Sequence, residues 1–220
     1  DYTVEKIQTT VFNRGYLLSK TEAEIKEAKR RVSIVYHITP GIPYTIDTVM
    51  YGIEDTVVLN LIKTTREASL LRKGDRYNQD NINAERDRID LFLKDKGYYD
   101  FSRQYIDFKI DTAYRPVHKI ALLLEIQNPA RRDNHKKFVI DSVIFTPDAG
   151  IVMPPDIQRQ SRRYRNITFN YFSNQYSDRI LSQRIFIAED SSYSRTNTFN
   201  TQRQLANLDI FKFVNINYDT

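Results

Sequence analysis

The chain has 220 residues, no cysteine, 40% hydrophobic and 12% aromatic residues, and a formal net charge of +5; this excludes disulfides and thiolate chemistry and argues against disorder. Such a length suits two or three compact units rather than one small domain. The longest apolar stretch, IALLLEI (120–126), is strand-length and well short of the roughly 20 apolar residues of a membrane-spanning helix, while the positive charge suits a weakly anionic partner without choosing one.

In chain order, the first pattern is VEKIQTTVFNRGY (4–16), where Ile7 and Val11 share a helical stripe that ends at Gly15-Tyr16. VSIVYHI (32–38) alternates Val32, Ile34, Tyr36 and Ile38, as a strand does, and YTIDTVMY (44–51) reads as another. Asp55 is placed to cap a helix running through Leu71, with Val57, Val58, Leu61 and Ile62 at helical spacing. After the polar turn RKGDRYN (72–78), a second helix starts near Gln79 and carries Ile82, Ile89, Phe92 and Leu93 on one face. Gly97 closes it, because the residue after a helix end usually takes φ > 0, which glycine alone reaches without a Cβ penalty. YIDFKID (105–111) alternates Ile106, Phe108 and Ile110 against Asp107, Lys109 and Asp111, and KIALLLEI (119–126) supplies the last strand of a β-α-α-β-β unit. From Phe138 the pattern restarts with the strand FVIDSVIF (138–145). It departs through TPDAGIVMPPDIQRQSRRYR (146–165), Pro-rich and then Arg-rich, and NITFNYF (166–172) reads as an additional strand. It resumes with DRILSQRIFI (178–187) as helix one, SSYSRTNTFNTQRQLANL (191–208) as turn plus helix two, and DIFKFVNINY (209–218) as strand two.

These segments repeat in order. Gly15-Tyr16 matches Gly97-Tyr98 (97 − 15 = 82), Val32 matches Ile120 (120 − 32 = 88), and Tyr44 matches Phe138 (138 − 44 = 94). The offset grows only where loops belong, after Gly-Tyr and in NPARRDNHKK (128–137). The chain is a tandem repeat, and Gly-Tyr reads as a cap plus a core aromatic rather than as a ligand contact.

The order β-α-α-β-β, the strand opening YTID, GDRYN (74–78) before helix two and GYYDF (97–101) after it resemble the polypeptide-transport-associated (POTRA) domain. That family occurs in tandem in the periplasmic arm of outer-membrane barrel assembly and translocation proteins, the BamA/TamA-like superfamily. The resemblance covers most of the chain, with residues 146–180 the poorest part. It implies an α+β fold of tandem units, each a three-stranded mixed sheet covered by two helices. Residues 1–43 are then the C-terminal part of a first unit and 44–137 a complete one. Residues 138–220 form a last unit with an insertion near 146–172, truncated before its final strand, and a membrane barrel is expected to follow. The form L-x-x-L-x-I-F-x-x-V-x-I at 205–216, in place of Gly-Tyr, resembles the unit next to such a barrel.

No catalytic constellation is present. His37, His118 and His135 are not paired at metal spacing, no phosphate-binding or nucleophile motif appears, and Glu54-Asp55 sits at a helix start where the macrodipole explains it. Neither a metal nor any other cofactor is implied. The remaining mode is binding through sheet edges, whose unpaired N–H and C=O groups accept an extended peptide. In the resembled fold strand two is the edge: Tyr105, Ile106, Asp107, Phe108, Lys109, Ile110 and Asp111 in the complete unit, Leu17–Ile25 in the first and Phe213–Tyr218 in the third. Asp107, Lys109 and Asp111 weigh as guards against aggregation more than as ligand contacts. RQSRRYR (159–165) places Arg159, Arg162, Arg163 and Arg165 beside Tyr164. The readings for this cluster are a solvated loop, a nucleic-acid site of stacking and phosphate contacts, and contact with lipid headgroups or the barrel's periplasmic rim. Nucleic acid ranks last. The expected partners are unfolded outer-membrane proteins, accessory assembly subunits and the chain's own C-terminal barrel, with a periplasmic location attached to the outer membrane. The alternative is an interaction scaffold of the same fold without a role in barrel assembly.

Overall fold

A computed structural model describes residues 2–113, 117–153 and 156–219. By packing, the chain divides into two compact units, Asp1–Ile89 with Ser102–Asn134, and Asp90–Phe101 with His135–Thr220. The fold class is α+β with three-stranded mixed sheets, as the sequence predicts.

In the first unit, helix α1 (Tyr2–Asn13) leads to an antiparallel hairpin of β1 (Lys20–Ala28) and β2 (Arg31–Thr39). The edge strand expected at Leu17–Ile25 therefore begins three residues later, because Ser19 N–H closes a turn on the Tyr16 carbonyl (3.1 Å). The second sheet contains β3 (Thr45–Ile53), β4 (Ile106–Asp111) and β5 (Lys119–Ile126) in the order β3-β5-β4, with β3 parallel and β4 antiparallel to β5. The central position of β5 explains its near-continuous apolar sequence: Ile120, Ala121, Leu122, Leu124 and Ile126 are all buried. Helix α2 (Thr56–Thr64) is capped by Asp55, whose carboxylate accepts the N–H groups of Val57 and Val58 at 3.0 and 3.1 Å. The helix stops at Thr64, not Leu71. The Thr64 and Thr65 hydroxyls bond back to the carbonyls of Leu61 and Ile62, a 3₁₀ turn follows at Arg66–Ala68, and Leu70 N–H goes to the Glu85 carboxylate instead of a helical carbonyl. Helix α3 (Gln79–Asp95) begins where predicted and buries Ile82, Ile89 and Leu93.

The second unit holds β6 (Ile144–Phe145), β7 (Gln160–Tyr164), β8 (Ile167–Tyr171), α4 (Asp178–Ser182) and α5 (Arg195–Ala206). Its sheet runs β6-β8-β7, with β6 parallel and β7 antiparallel to β8, the same order and sense as β3-β5-β4. Here the structure departs from the sequence reading. The strand places expected to go to residues 209–218 are held by the β7–β8 hairpin, and Phe213–Tyr218 forms no strand. Ile167, Phe169 and Tyr171 of β8 fill the core with Leu181 and Leu205, while Phe211 and Val214 only pack against it. The opening strand is likewise shorter than FVIDSVIF, and helix one ends at Ser182. Pro154 and Pro155 of the Pro-rich stretch lie outside the described residues.

The repeat extends to individual backbone hydrogen bonds. At the end of α1, Gly15 (φ +95°) donates to Phe12 O and Tyr16 to Val11 O; at the end of α3, Gly97 (φ +102°) donates to Lys94 O and Tyr98 to Leu93 O. Both are Schellman turns, which satisfy carbonyls a helix end would otherwise leave unpaired. Each glycine carbonyl then accepts an N–H from the start of the next repeat: Tyr44 N–H, just before β3, on Gly15, and Phe138 N–H, six residues ahead of β6, on Gly97, both at 2.8 Å. Those residues in turn accept Tyr77 N–H (2.9 Å) and Tyr193 N–H (3.0 Å). Two residues on, Ile46 exchanges bonds with Gly74 and Asp75, and Ile140 with Asp190 and Ser191. Gly-Tyr thus caps one helix and seats the next segment of chain.

Candidate functional site

The sheet edge formed by β4 is built by α3 on one side and β5 on the other. Gln127 N–H bonds Tyr105 O at 2.9 Å, and antiparallel pairing alternates, so the register turns the N–H groups of Asp107, Lys109 and Asp111 toward β5. Ile106, Phe108 and Ile110 turn theirs outward. Tyr105 is not on the strand; it ends a 3₁₀ turn at Arg103–Tyr105, whose Arg103 carbonyl accepts Ile106 N–H.

The edge side chains are engaged within the unit. Asp107 Oδ1 accepts Phe108 N–H at 2.8 Å and the Arg86 guanidinium of α3 at 3.1 Å. Lys109 reaches Glu125 of β5 at 2.7 Å, and that carboxylate holds the lysine above its ordinary pKa. Asp111 accepts Ala113 N–H at 2.9 Å. Ile106 and Phe108 are buried and Ile110 half-buried. The charged side chains of this edge thus have partners within the unit.

Arg86 and Glu85 were not singled out from the sequence, although a signal existed. Both fall between Ile82 and Ile89 on the buried stripe of α3, where a charged residue needs a partner. Glu85 is 3% exposed and takes both a forked pair from Arg88 (2.7 and 2.9 Å) and Leu70 N–H (2.9 Å). Burial pushes its carboxyl up, but these donors outweigh it and hold the pKa below the ordinary value.

The arginine cluster lies on and around β7. Arg159 pairs with Asp148 and stacks over Phe172 at 4.1 Å, Arg162 pairs with Asp178 (Nε 2.6 Å), and Arg163 with Glu189. Arg165, in the β7–β8 turn at φ 54°, lies 5.7 Å from the Tyr164 ring centre. The structure thus brings three of the four guanidiniums onto carboxylates of their own unit. The histidines are dispersed: His37 faces Glu24 at 3.3 Å, His118 lies edge-on to Tyr44, and His135 is buried beside Phe101. Among the described residues no group of three or more His, Asp or Glu could hold a metal ion, and no helix is long and apolar enough to cross a membrane.

No protein-family model matches the sequence, and no curated protein matches it. Solved structures do. POTRA domains 3–5 of BamA from Haemophilus influenzae align at 14% identity with a TM-score of 0.48, covering 96% of this chain and 70% of that one. POTRA domains 1–3 of the periplasmic domain of Omp85 from Anabaena align at 11% identity with a TM-score of 0.34, covering 98% and 74%. BamA from Haemophilus ducreyi lacking POTRA domains 1–3 aligns at 16% identity with a TM-score of 0.39, covering 57% and 22%. Over nearly its whole length the chain is similar to POTRA domains of BamA and Omp85.

Proposed function

We propose that this chain is a non-enzymatic binding arm of successive POTRA-type units over 1–43, 44–137 and 138–220. It is periplasmic and attached to the outer membrane in the full protein, and it receives unfolded barrel precursors by adding their strands to a sheet edge. The observation that carries this reading is the position of β4, a six-residue strand at the border of its sheet whose alternate backbone groups face away from β5. Backbone pairing gives affinity with little demand on sequence, which suits a receptor for many clients. Accessory assembly subunits and the chain's own barrel are further partners in this reading. Lipid or barrel-rim contact falls mainly to Arg165, the arginine of the cluster without a carboxylate partner among the described residues.

Proline scanning tests it. Ile110→Pro removes an outward N–H and leaves the ladder to β5 intact, whereas Lys109→Pro breaks the ladder and should unfold the sheet. The folded Ile110→Pro chain should lose binding to an extended barrel-strand peptide that the wild type binds at about micromolar affinity or weaker. Equal binding by both would rule out the β4 edge.

A further inference from the structure

The outward N–H of Phe108 is the central donor that an incoming strand would use, and it is already taken. Asp107 Oδ1 bonds it at 2.8 Å, and Arg86 Nη2 holds the same oxygen at 3.1 Å from the neighbouring helix. The Arg86 guanidinium also lies 5.7 Å from the centre of the Phe108 ring, so one side chain braces both the carboxylate and the residue it caps. Glu125, directly opposite Asp107 across the ladder, is occupied by Lys109 and does not compete for Arg86. One residue earlier, the Ile106 N–H is closed by the Arg103 carbonyl of the 3₁₀ turn. Two successive outward donors are therefore satisfied internally, one by fixed backbone and one by a side chain that can rotate.

We propose that Asp107, braced by Arg86, is a gate on the β4 edge, a reading that rests on strand addition at that edge. The carboxylate denies Phe108 N–H to any strand that cannot displace it. A docking strand must place a backbone carbonyl opposite Phe108 and turn Asp107 aside. The carboxylate is half-exposed and keeps Arg86 as it moves, so opening breaks one hydrogen bond and strands no buried charge. The gate makes the edge selective for extended segments that pair over several residues, because a single peptide carbonyl gains no more than it displaces. It also closes the edge to casual pairing between chains.

The test uses the full 220-residue chain, amide hydrogen exchange at Phe108, and titration with an extended alternating apolar–polar peptide. Asp107→Ala should speed Phe108 exchange about tenfold and tighten peptide binding by up to a similar factor, the size of a charge-assisted hydrogen bond. Arg86→Ala should act in the same direction, and Asp107→Asn, which keeps an acceptor oxygen, should retain most of the protection. Unchanged Phe108 exchange in both alanine variants overturns the gate whatever the peptide does. Faster exchange with no peptide bound by any variant instead overturns strand addition at β4, and with it the gate's role in choosing a partner.

Discussion

Replacing Gly15 by alanine perturbs both jobs of the Gly-Tyr turn at once. Its φ of +95° lies beyond the left-handed helical region, where a side chain is strained by roughly 1–3 kcal/mol. A Cβ built there would stand 2.6 Å from the Tyr77 carbonyl oxygen, a backbone atom fixed by the Tyr77–Tyr44–Gly15 relay. Relieving the overlap means parting Tyr44 N–H from Gly15 O, about 1 kcal/mol more. Gly41 provides the control: its φ is +72° and an added Cβ meets nothing within 4 Å, so Gly41→Ala should cost about 1 kcal/mol from strain alone. Gly97→Ala should fall between them, since its 2.8 Å contact is with the flexible Lys137 side chain and its contact with Phe138 O is 3.3 Å. Because the chain has two compact units, one melting midpoint is a poor measure; native-state amide exchange reports each site. Gly15→Ala should deprotect the Tyr44 and Tyr77 amides, and Gly97→Ala the Phe138 and Tyr193 amides. If Gly15→Ala costs no more than Gly41→Ala and leaves the Tyr44 amide protected, the glycine is a cap only and does not seat the next segment.

Two further outcomes follow from the same structure. The Glu85 carboxyl is held below its ordinary value of 4.5, so its contribution to the first unit is complete above about pH 4.5 and is lost as acid takes the pH down through the folded value. Glu85→Gln should flatten the fall in stability between about pH 5 and 3, and an unchanged acid profile would show that the Arg88 and Leu70 bonds do not set it. Asp95 accepts the Ser194 hydroxyl (2.8 Å), Thr196 N–H (2.8 Å) and the Thr196 hydroxyl (2.6 Å) at the start of α5, so Asp95→Ala should destabilise the second unit by about 1–2 kcal/mol in denaturant; no change would mean that Ser194 alone caps that helix.

The two left-handed glycine turns, the Asp55 cap, the stripe of α3 and the buried run of β5 are local features, each set by residues close together in the chain, and the repeat is legible because such features recur in the same order at offsets of 82 to 94 residues. Alternation likewise told which face of YIDFKID is buried. It could not tell which of its amides face outward, because that depends on the register against β5, fixed by the Tyr105–Gln127 bond. Nor could it choose between the RQSRRYRNITFNY hairpin and DIFKFVNINY for the second sheet. Both alternate, but a two-residue turn brings β7 onto β8 at small entropic cost, and β8 carries three core side chains to β6 from the inserted segment. The Asp107–Phe108–Arg86 arrangement joins residues about 20 apart in the chain; only the packing of α3 beside β4 brings a guanidinium within reach of a carboxylate that then turns onto its neighbour's N–H.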